Sequence, residues 1–240
     1  MSRYWDGGNY SQPTASELKR KSEASRVSAE KKGECLQPVV IQGRSIARSW
    51  WGKAWCGNLE RYADYESRLG RGKRYVRTGA VIDLNIAKGI IQARVQGSRT
   101  TPYKVEVRIS PLPEERCQEI IQKCEKRVEN LEKLLAGDFP EELKDLFTQR
   151  GGLFPSSKEI SFSCSCPDWA SMCKHVAAVL YGIGARLDEN PSLFFELRGI
   201  EMERFIDAAI ANRVELMLEN AGQTSERVID DGAVYGLFGI

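Results

Sequence analysis

The chain has 240 residues, 42% hydrophobic and 28% charged, a balance typical of a globular protein with a real core. The stretch after Met1 lacks the hydrophobic centre of a signal peptide, and the longest apolar stretch, Val176 to Ala185, is far short of the ~20 residues that a membrane span needs. We therefore expect a cytoplasmic protein without a membrane partner, in which seven cysteines favour thiols or a metal site over disulfides.

The net charge of +2 conceals an uneven distribution along the chain. Residues 44–108 contain 14 lysines and arginines against 5 acidic residues, a net +9. Residues 201–240 contain 3 against 8, a net −5. The chain therefore combines a basic block with an acidic tail.

Residues 1–43 are rich in Ser, Lys and Glu and contain few apolar side chains, so we predict a mostly disordered arm. The next segment predicts a helix, because Trp51, Trp55, Leu59 and Tyr62 recur at the spacing of one helix face.

Three strands follow this helix in the sequence. The runs AVIDLNIA and IIQARVQG are joined by Lys88-Gly89, which predicts a hairpin turn. In YKVEVRIS, apolar Val105, Val107 and Ile109 alternate with charged residues, as in a half-buried strand. Together these runs predict an antiparallel meander.

The second half of the chain is mainly helical. A long amphipathic stretch begins near Pro113 and ends near Gly137, and a short helix ends at Gly151. A strand, KEISFSC, precedes helical runs at 174–187, 191–198 and 201–220. The predicted fold class is α+β, an antiparallel sheet with flanking helices. The predicted domains are an arm (1–43), an α+β domain with the basic block (44–158), a metal-binding segment (159–200) and an acidic helical tail (201–240).

The stretch SCSCPDWASMCKHVAAVL holds three cysteines and the one histidine of the chain. Cys164-x-Cys166 and Cys173-x-His175 supply four ligands in two tight pairs, the number and type for tetrahedral zinc. The first pair suits the end of a strand, and the second pair suits the start of a helix. In the loop between them, Asp168 is either a turn former or an acceptor for a ligand, and we favour the turn former. Trp169 either packs over the site or lies exposed as a contact, and we favour packing.

The segment CSCPDWASMCKH resembles the SWIM-type zinc finger, whose pattern is Cys-x-Cys, a variable spacer and Cys-x-His. The resemblance implies a ββα finger, and with WWGKAW, GRGKRYVRTGAVIDLNI and ARVQGSRTTPYKVEVRI it extends over residues 44–200 to small stand-alone bacterial SWIM-finger proteins. Some of those proteins are encoded beside Swi/Snf-type ATPases, which implies DNA transactions or partner binding.

A thiol nucleophile is the alternative to metal, since Cys173 and His175 form the one Cys–His pair available. Residues two apart on a helix point to different faces, however, so they would hydrogen-bond poorly. Three thiols and an imidazole also fill a tetrahedron and leave no position for substrate. We therefore expect a structural zinc site, no enzyme activity and no small-molecule substrate.

The basic block combines cations with glycines and a tyrosine in RLGRGKRYVRTG and QGSRTTPYK, a composition that suits phosphate contacts and base stacking. Its glycines leave the backbone flexible and open to close approach. The predicted nucleic-acid-binding residues are Arg68, Arg71, Lys73, Arg74, Arg77, Arg99 and Lys104. An ordinary solvated face is the alternative.

These features predict a zinc-dependent DNA-binding protein. The alternative is a protein–protein adaptor for a Swi/Snf-type translocase or a recombination factor, engaged through the arm or through the acidic helix 201–220.

Overall fold

The computed structural model describes residues 12–125, 144–149 and 151–221. In these ranges the chain forms a four-stranded antiparallel sheet with helices before and after it, which confirms the α+β prediction. In chain order the elements are α1 (Ala15–Glu30), α2 (Trp50–Glu60), α3 (Glu66–Arg77), β1 (Val81–Ala87), β2 (Ile90–Val95), β3 (Tyr103–Ile109), α4 (Glu114–Glu125), α5 (Lys144–Thr148), β4 (Ile160–Cys164), α6 (Lys174–Glu189), α7 (Leu193–Leu197) and α8 (Met202–Ala221).

The sheet has the strand order β1-β2-β3-β4. The predicted hairpin between β1 and β2 is present, and Gly89 in its turn has a φ of +69°, a conformation that glycine adopts without a Cβ penalty. In β3 the predicted apolar positions are buried. Strand β4 pairs antiparallel with β3, opposing Cys164 to Val105. Strand β4 therefore extends the predicted three-stranded meander, and the first ligand pair lies at the end of this fourth strand.

Helix α6 lies between the sheet and helices α2 and α3, and it is buried on almost every side. A helix in this position must be apolar all round, as the run Val176–Ala185 is. The aromatic face predicted for α2 packs onto it: Trp55 is buried and donates its indole N–H to the Leu180 carbonyl oxygen (3.1 Å). One hydrophobic core therefore joins the sheet, the metal-ligand segment and the helices around it.

The prediction of a disordered arm is wrong for residues 12–43. Helix α1 begins with a capping box in which Thr14 and Glu17 satisfy each other's backbone N–H groups. Leu18 is fully buried in the core, and Lys21 Nζ donates to the Ser98 carbonyl oxygen (2.6 Å). The Val39 N–H then donates to the carbonyl oxygen of Val81 at the start of β1. Helix α1 packs on the core through one leucine and small side chains. So few apolar residues do not distinguish it from a disordered segment by composition.

Other predicted elements are only partly within the described residues. The long amphipathic helix is described as far as Glu125, so its predicted apolar positions beyond that residue lie outside the described ranges, as does the tail after Ala221. The predicted runs at 174–187, 191–198 and 201–220 correspond to α6, α7 and α8, which confirms them. No helix in the described ranges combines the length and the apolar character that crossing a membrane requires.

Candidate metal centre

The four residues predicted as metal ligands converge. Cys164 ends β4, Cys166 follows it in the loop, Cys173 is the N-cap of α6, and His175 lies in the first turn of that helix. Their candidate ligand atoms all lie within 4.8 Å of one another. The structure therefore brings two pairs from separate elements to one point, where they can hold a metal ion.

The distances fit a tetrahedral ion. His175 Nδ1 lies 3.8 Å from Cys164 Sγ and 3.9 Å from Cys173 Sγ. Zinc bonds of about 2.3 Å to sulfur and 2.0 Å to nitrogen set neighbouring ligands roughly 3.5 to 4 Å apart. The imidazole thus presents Nδ1 to the thiols, as a ligand must.

Backbone N–H groups point at the sulfur atoms. The Val176 N–H donates to Cys173 Sγ (3.5 Å), as expected where a helix begins and its first N–H groups lack carbonyl partners. The backbone N–H groups of Cys166 and Asp168 favour the ionised forms of Cys164 and Cys166 in the same way. Such donors stabilise thiolates, which are the forms that bind metal.

The thiols of the cluster affect each other's ionisation. The Cys164 thiol donates to Cys173, and this hydrogen bond lowers the pKa of Cys173 well below its usual value, with further help from His175 and the Val176 N–H. The same hydrogen bond, together with burial, raises the pKa of Cys164. Burial lowers the pKa of His175, so the ring is neutral at pH 7 and free to coordinate. These shifts favour an ionised Cys173 and a neutral His175, the forms that bind a metal ion.

Two tyrosines and a glycine enclose the histidine. Tyr103 stacks on the His175 ring with centroids 4.2 Å apart, and Tyr75 meets it edge-on at 5.4 Å. A Cβ on Gly97 would lie 3.1 Å from His175 Nε2, so only glycine fits there without displacement. His175 Nε2 is buried and has no hydrogen-bond partner among the residues that the structure describes, whereas Nδ1 faces the thiols. These three residues lie far from the motif in sequence, so no local pattern points to them.

The loop between the ligand pairs is tied to the rest of the molecule. Asp168 accepts from the Ala170 N–H (3.4 Å), which confirms it as a turn former, and it also forms an ion pair with Arg68 (3.2 Å). Asp64 accepts from the Ser171 N–H (2.8 Å). The interpretation that Trp169 packs over the site is wrong, because 79% of its side chain is exposed.

The Gly-rich basic stretch is a helix, α3, so the interpretation of a flexible backbone is wrong for Gly70 and Gly72. Gly72 does permit a close approach, but to α6: a Cβ there would lie 2.6 Å from the Ala177 Cβ. Gly79 follows the helix with a φ of +69°. Gly72 therefore lets α3 pack closely on α6, and Gly79 lets the chain turn where α3 ends.

Four of the predicted nucleic-acid-binding residues have partners within the protein. Arg68 pairs with Asp168, and Lys73 pairs with Glu60 (2.9 Å). Arg74 donates to the Gln12 side chain at 3.4 Å, and Arg77 donates to the Arg44 carbonyl oxygen at 3.3 Å.

The remaining three predicted residues lie around the metal centre. Arg99 lies over the Tyr103 ring, 5.5 Å from its centroid. Lys104 is exposed beside the ligand loop, since its backbone N–H donates to Ser165 Oγ (3.0 Å). In the described part of the chain Arg71 forms no ion pair. Burial raises the pKa of Tyr75, and the positive charges of Arg74 and Arg71 oppose that rise. Both arginines therefore act on the ring that contacts His175.

The other described cysteines are not part of the site. Cys56 packs beside Gly184, and burial raises the pKa of its thiol to about 12. Cys117 is buried, while Cys35 is exposed. The side chain of Cys124 lies outside the described residues. None of the three described thiols joins a metal-ligand group among the described residues.

The chain is similar to an uncharacterized protein of Mycobacterium tuberculosis, Rv2102, with 35% identity over 173 residues. The match covers 71% of this chain and 62% of the mycobacterial protein, so the chain spans less than two thirds of its relative's length. No protein-family model matches the chain. No solved structure matches it either. A proposal for its function therefore depends on the geometry of the metal centre.

Proposed function

We propose that this chain is a non-enzymatic, zinc-binding protein of the SWIM-finger type that binds DNA. The convergence of three thiols and one imidazole within 4.8 Å carries the proposal. Strand β4, which pairs with β3 and is followed by helix α6, supports the ββα arrangement that the resemblance implies.

The donor set favours zinc over other ions. Thiolate and imidazole are the ligands of structural zinc sites, whereas magnesium and calcium prefer oxygen. The four side chains complete a tetrahedron, so a bound ion would have no open position for substrate or activated water. Such an ion would act as a structural cross-link between β4 and α6. Zinc contributes on the order of 10–16 kcal/mol to the folding of small finger peptides.

The proposed DNA surface surrounds the metal centre. Helix α3 packs on α6, and the connection between β2 and β3 lies against His175 through Gly97, so two segments that are distant in sequence contribute cations to one face. Arg71, Arg74, Arg99 and Lys104 are cations of this face that form no ion pair among the described residues. Cations clustered on one face are the electrostatic footprint of phosphate binding.

The test is a fluorescence-anisotropy titration of zinc-loaded protein with a labelled 20-base-pair duplex and a labelled 20-base single strand at several salt concentrations. We expect log K to fall linearly with log salt, with a slope that counts the phosphate contacts. Replacing Arg71, Arg74, Arg99 and Lys104 by Ala should weaken binding and flatten the slope. No binding at tens of micromolar protein in low salt would overturn the DNA proposal.

A matched control variant tests whether the position of the four cations matters or only the total charge of the protein. Lys19, Arg20, Lys31 and Lys32 are exposed on and just after α1, so replacing these four by Ala removes the same charge elsewhere. The control should retain most of the affinity. Equal losses in the two quadruple variants would show that net charge alone, and not this face, attracts DNA.

A protein–protein adaptor is the second candidate, and α8 is the observation that favours it. Four exposed apolar side chains of α8 recur at the spacing of one helix face: Ile210, Val214, Met217 and Leu218. Acidic residues accompany them along the helix, which favours a partner with a basic surface: Glu203, Asp207, Glu215 and Glu219. Calorimetric titration of a purified Swi/Snf-type ATPase with the wild type and with Val214→Asp tests this candidate, because binding that is unchanged in the variant would exclude α8 as the contact.

A further inference from the structure

An aromatic pair projects from the metal-ligand loop. Trp169 is 79% exposed and Tyr65 is 43% exposed, and the two rings meet at 83° with centroids 5.6 Å apart. Tryptophan is highly buried on average, so an indole that is exposed to this degree calls for an explanation other than core packing. The edge-to-face contact uses one side of the indole and leaves the rest of the ring accessible to a ligand.

The pair is held in place by contacts on both sides. Asp168, beside Trp169, pairs with Arg68, whose guanidinium also lies over the Tyr65 ring at 5.9 Å. Asp64, beside Tyr65, accepts from the backbone N–H of Ser171. The loop is anchored at its ends by the two ligand pairs as well. A ring that is fixed in advance loses little conformational entropy when a ligand stacks on it.

The residues next to the pair in the sequence supply both acidic groups, Asp64, Glu66 and Asp168, and cations, Arg68, Arg71 and Lys174. The carboxylates of Asp64 and Asp168 are both used in contacts within the protein. In the described part of the chain neither Arg71, one helical turn after Arg68, nor Lys174, beside the ligand Cys173, forms an ion pair. Exposed aromatic rings with cations near them in the chain are the elements of a single-strand binding site, where bases stack and phosphates meet positive charge.

We propose that Trp169 and Tyr65 form a stacking platform for unpaired bases of a single-stranded nucleic acid, whose phosphates contact Arg71 and Lys174. This inference rests on the proposed function and specifies the form of its ligand. A paired base is covered on both faces by its neighbours in the duplex, so the platform discriminates single strands from duplexes. Unpaired bases occur in DNA and in RNA, and both stack on indole through the same π-face.

The test compares four labelled probes by anisotropy: dT20, rU20, a 20-base-pair duplex, and a 20-unit abasic strand that has the phosphates of dT20 without its bases. Wild-type protein should bind dT20 or rU20 more tightly than the abasic strand and the duplex. Trp169→Ala should weaken the binding of dT20 and rU20 by about 5- to 100-fold, because alanine substitution of a stacking aromatic residue typically lowers the affinity by that factor. Trp169→Phe should restore part of the loss.

Two controls complete the design. Ile90→Ala removes an exposed apolar side chain from the far end of the sheet, where β2 begins, and it should bind all probes as the wild type does. The salt dependence of dT20 binding should be the same for Trp169→Ala and the wild type, because the phosphate contacts are retained. Zinc content, measured for every variant, verifies that the loop is intact.

The outcomes separate the two proposals. Salt-dependent binding that is equal for dT20, the abasic strand and Trp169→Ala would overturn the stacking platform while the proposed function stands, and it would leave the aromatic pair as a protein contact surface. A lack of binding to every probe would overturn the proposed function and the platform together. A loss in Trp169→Ala that is confined to dT20, or to rU20, would support the platform and identify the nucleic acid.

Discussion

Tyr103 stacks on His175 with ring centroids 4.2 Å apart and an angle of 27° between the rings. Tyr103 begins β3 and His175 lies in the first turn of α6, so this contact sets the sheet against the helix at the metal centre. The stack fixes the ring with Nδ1 towards the thiols and Nε2 towards Gly97. The ligand geometry therefore depends on residues that bind no metal.

Gly97→Ala should weaken zinc binding. The new methyl group would lie 2.5 Å from the Tyr103 ring and 3.1 Å from His175 Nε2, so either the stack or the connection between β2 and β3 must shift. Disturbing residues that orient a metal ligand typically costs 10- to 100-fold in affinity, on the order of the loss expected here. Competition with a chromophoric chelator measures it. Gly57→Ala is the control, because a Cβ at that position meets nothing within 4 Å; an equal loss in both variants would contradict the argument.

Cys166→Ser and His175→Ala should each abolish stoichiometric zinc, because three donors no longer close the tetrahedron. We expect residues 160–187 to lose protection in hydrogen exchange, since a bound ion would join β4 to α6. Metal content by mass spectrometry checks the first expectation. Cys35→Ser is the control, since this exposed thiol is outside the cluster. Zinc retained at full occupancy in Cys166→Ser would disprove the ligand assignment.

Local pattern was enough to predict the hairpin, the alternation in β3 and the two ligand pairs, because each depends on spacing within one short segment. Helix α1 is hard to predict because Leu18 is the one large apolar side chain among its buried residues. The environment of His175 was missed because Tyr75, Gly97 and Tyr103 reach it only through the tertiary fold. Trp169 was misplaced because sequence cannot distinguish an indole that caps a site from one that projects from it.

Gly72→Ala should destabilise the fold by about 1–3 kcal/mol, the usual cost of overpacking a close contact. The methyl group would lie 2.6 Å from the Ala177 Cβ and 3.0 Å from backbone atoms of α6, so α3 must move away. Gly70 lies in the same helix, but a Cβ there meets nothing within 4 Å. Gly70→Ala should therefore stabilise the protein by about 0.5–1 kcal/mol through helix propensity. Urea unfolding at fixed zinc concentration measures both, and effects of the same sign would refute the packing role of Gly72.

Glu159→Gln should destabilise the protein at neutral pH and less so in acid. Glu159 pairs with Arg198, whose side chain is 1% exposed and also donates to the Ser110 carbonyl oxygen (2.8 Å). Burial opposes ionisation of Glu159, but hydrogen bonds from Arg198 and Ser156 outweigh it and lower its pKa. Since Glu159 is partly exposed, we expect a loss of about 1–3 kcal/mol at pH 7, less than for a fully buried pair.

The sign of the pH dependence follows from the lowered pKa. A carboxyl group with a lower pKa in the folded than in the unfolded state stabilises the fold above its unfolded value of about 4.3, and this stabilisation is lost as the pH falls through the folded value. The free-energy difference between wild type and Glu159→Gln should therefore be constant from pH 7 to about 5 and shrink below it. Both proteins have the same metal site, so acid release of zinc cancels in the comparison. Urea unfolding at pH 7, 5 and below 4 makes the measurement, and a difference that stays constant into acid would rule out the ionised pair as its origin.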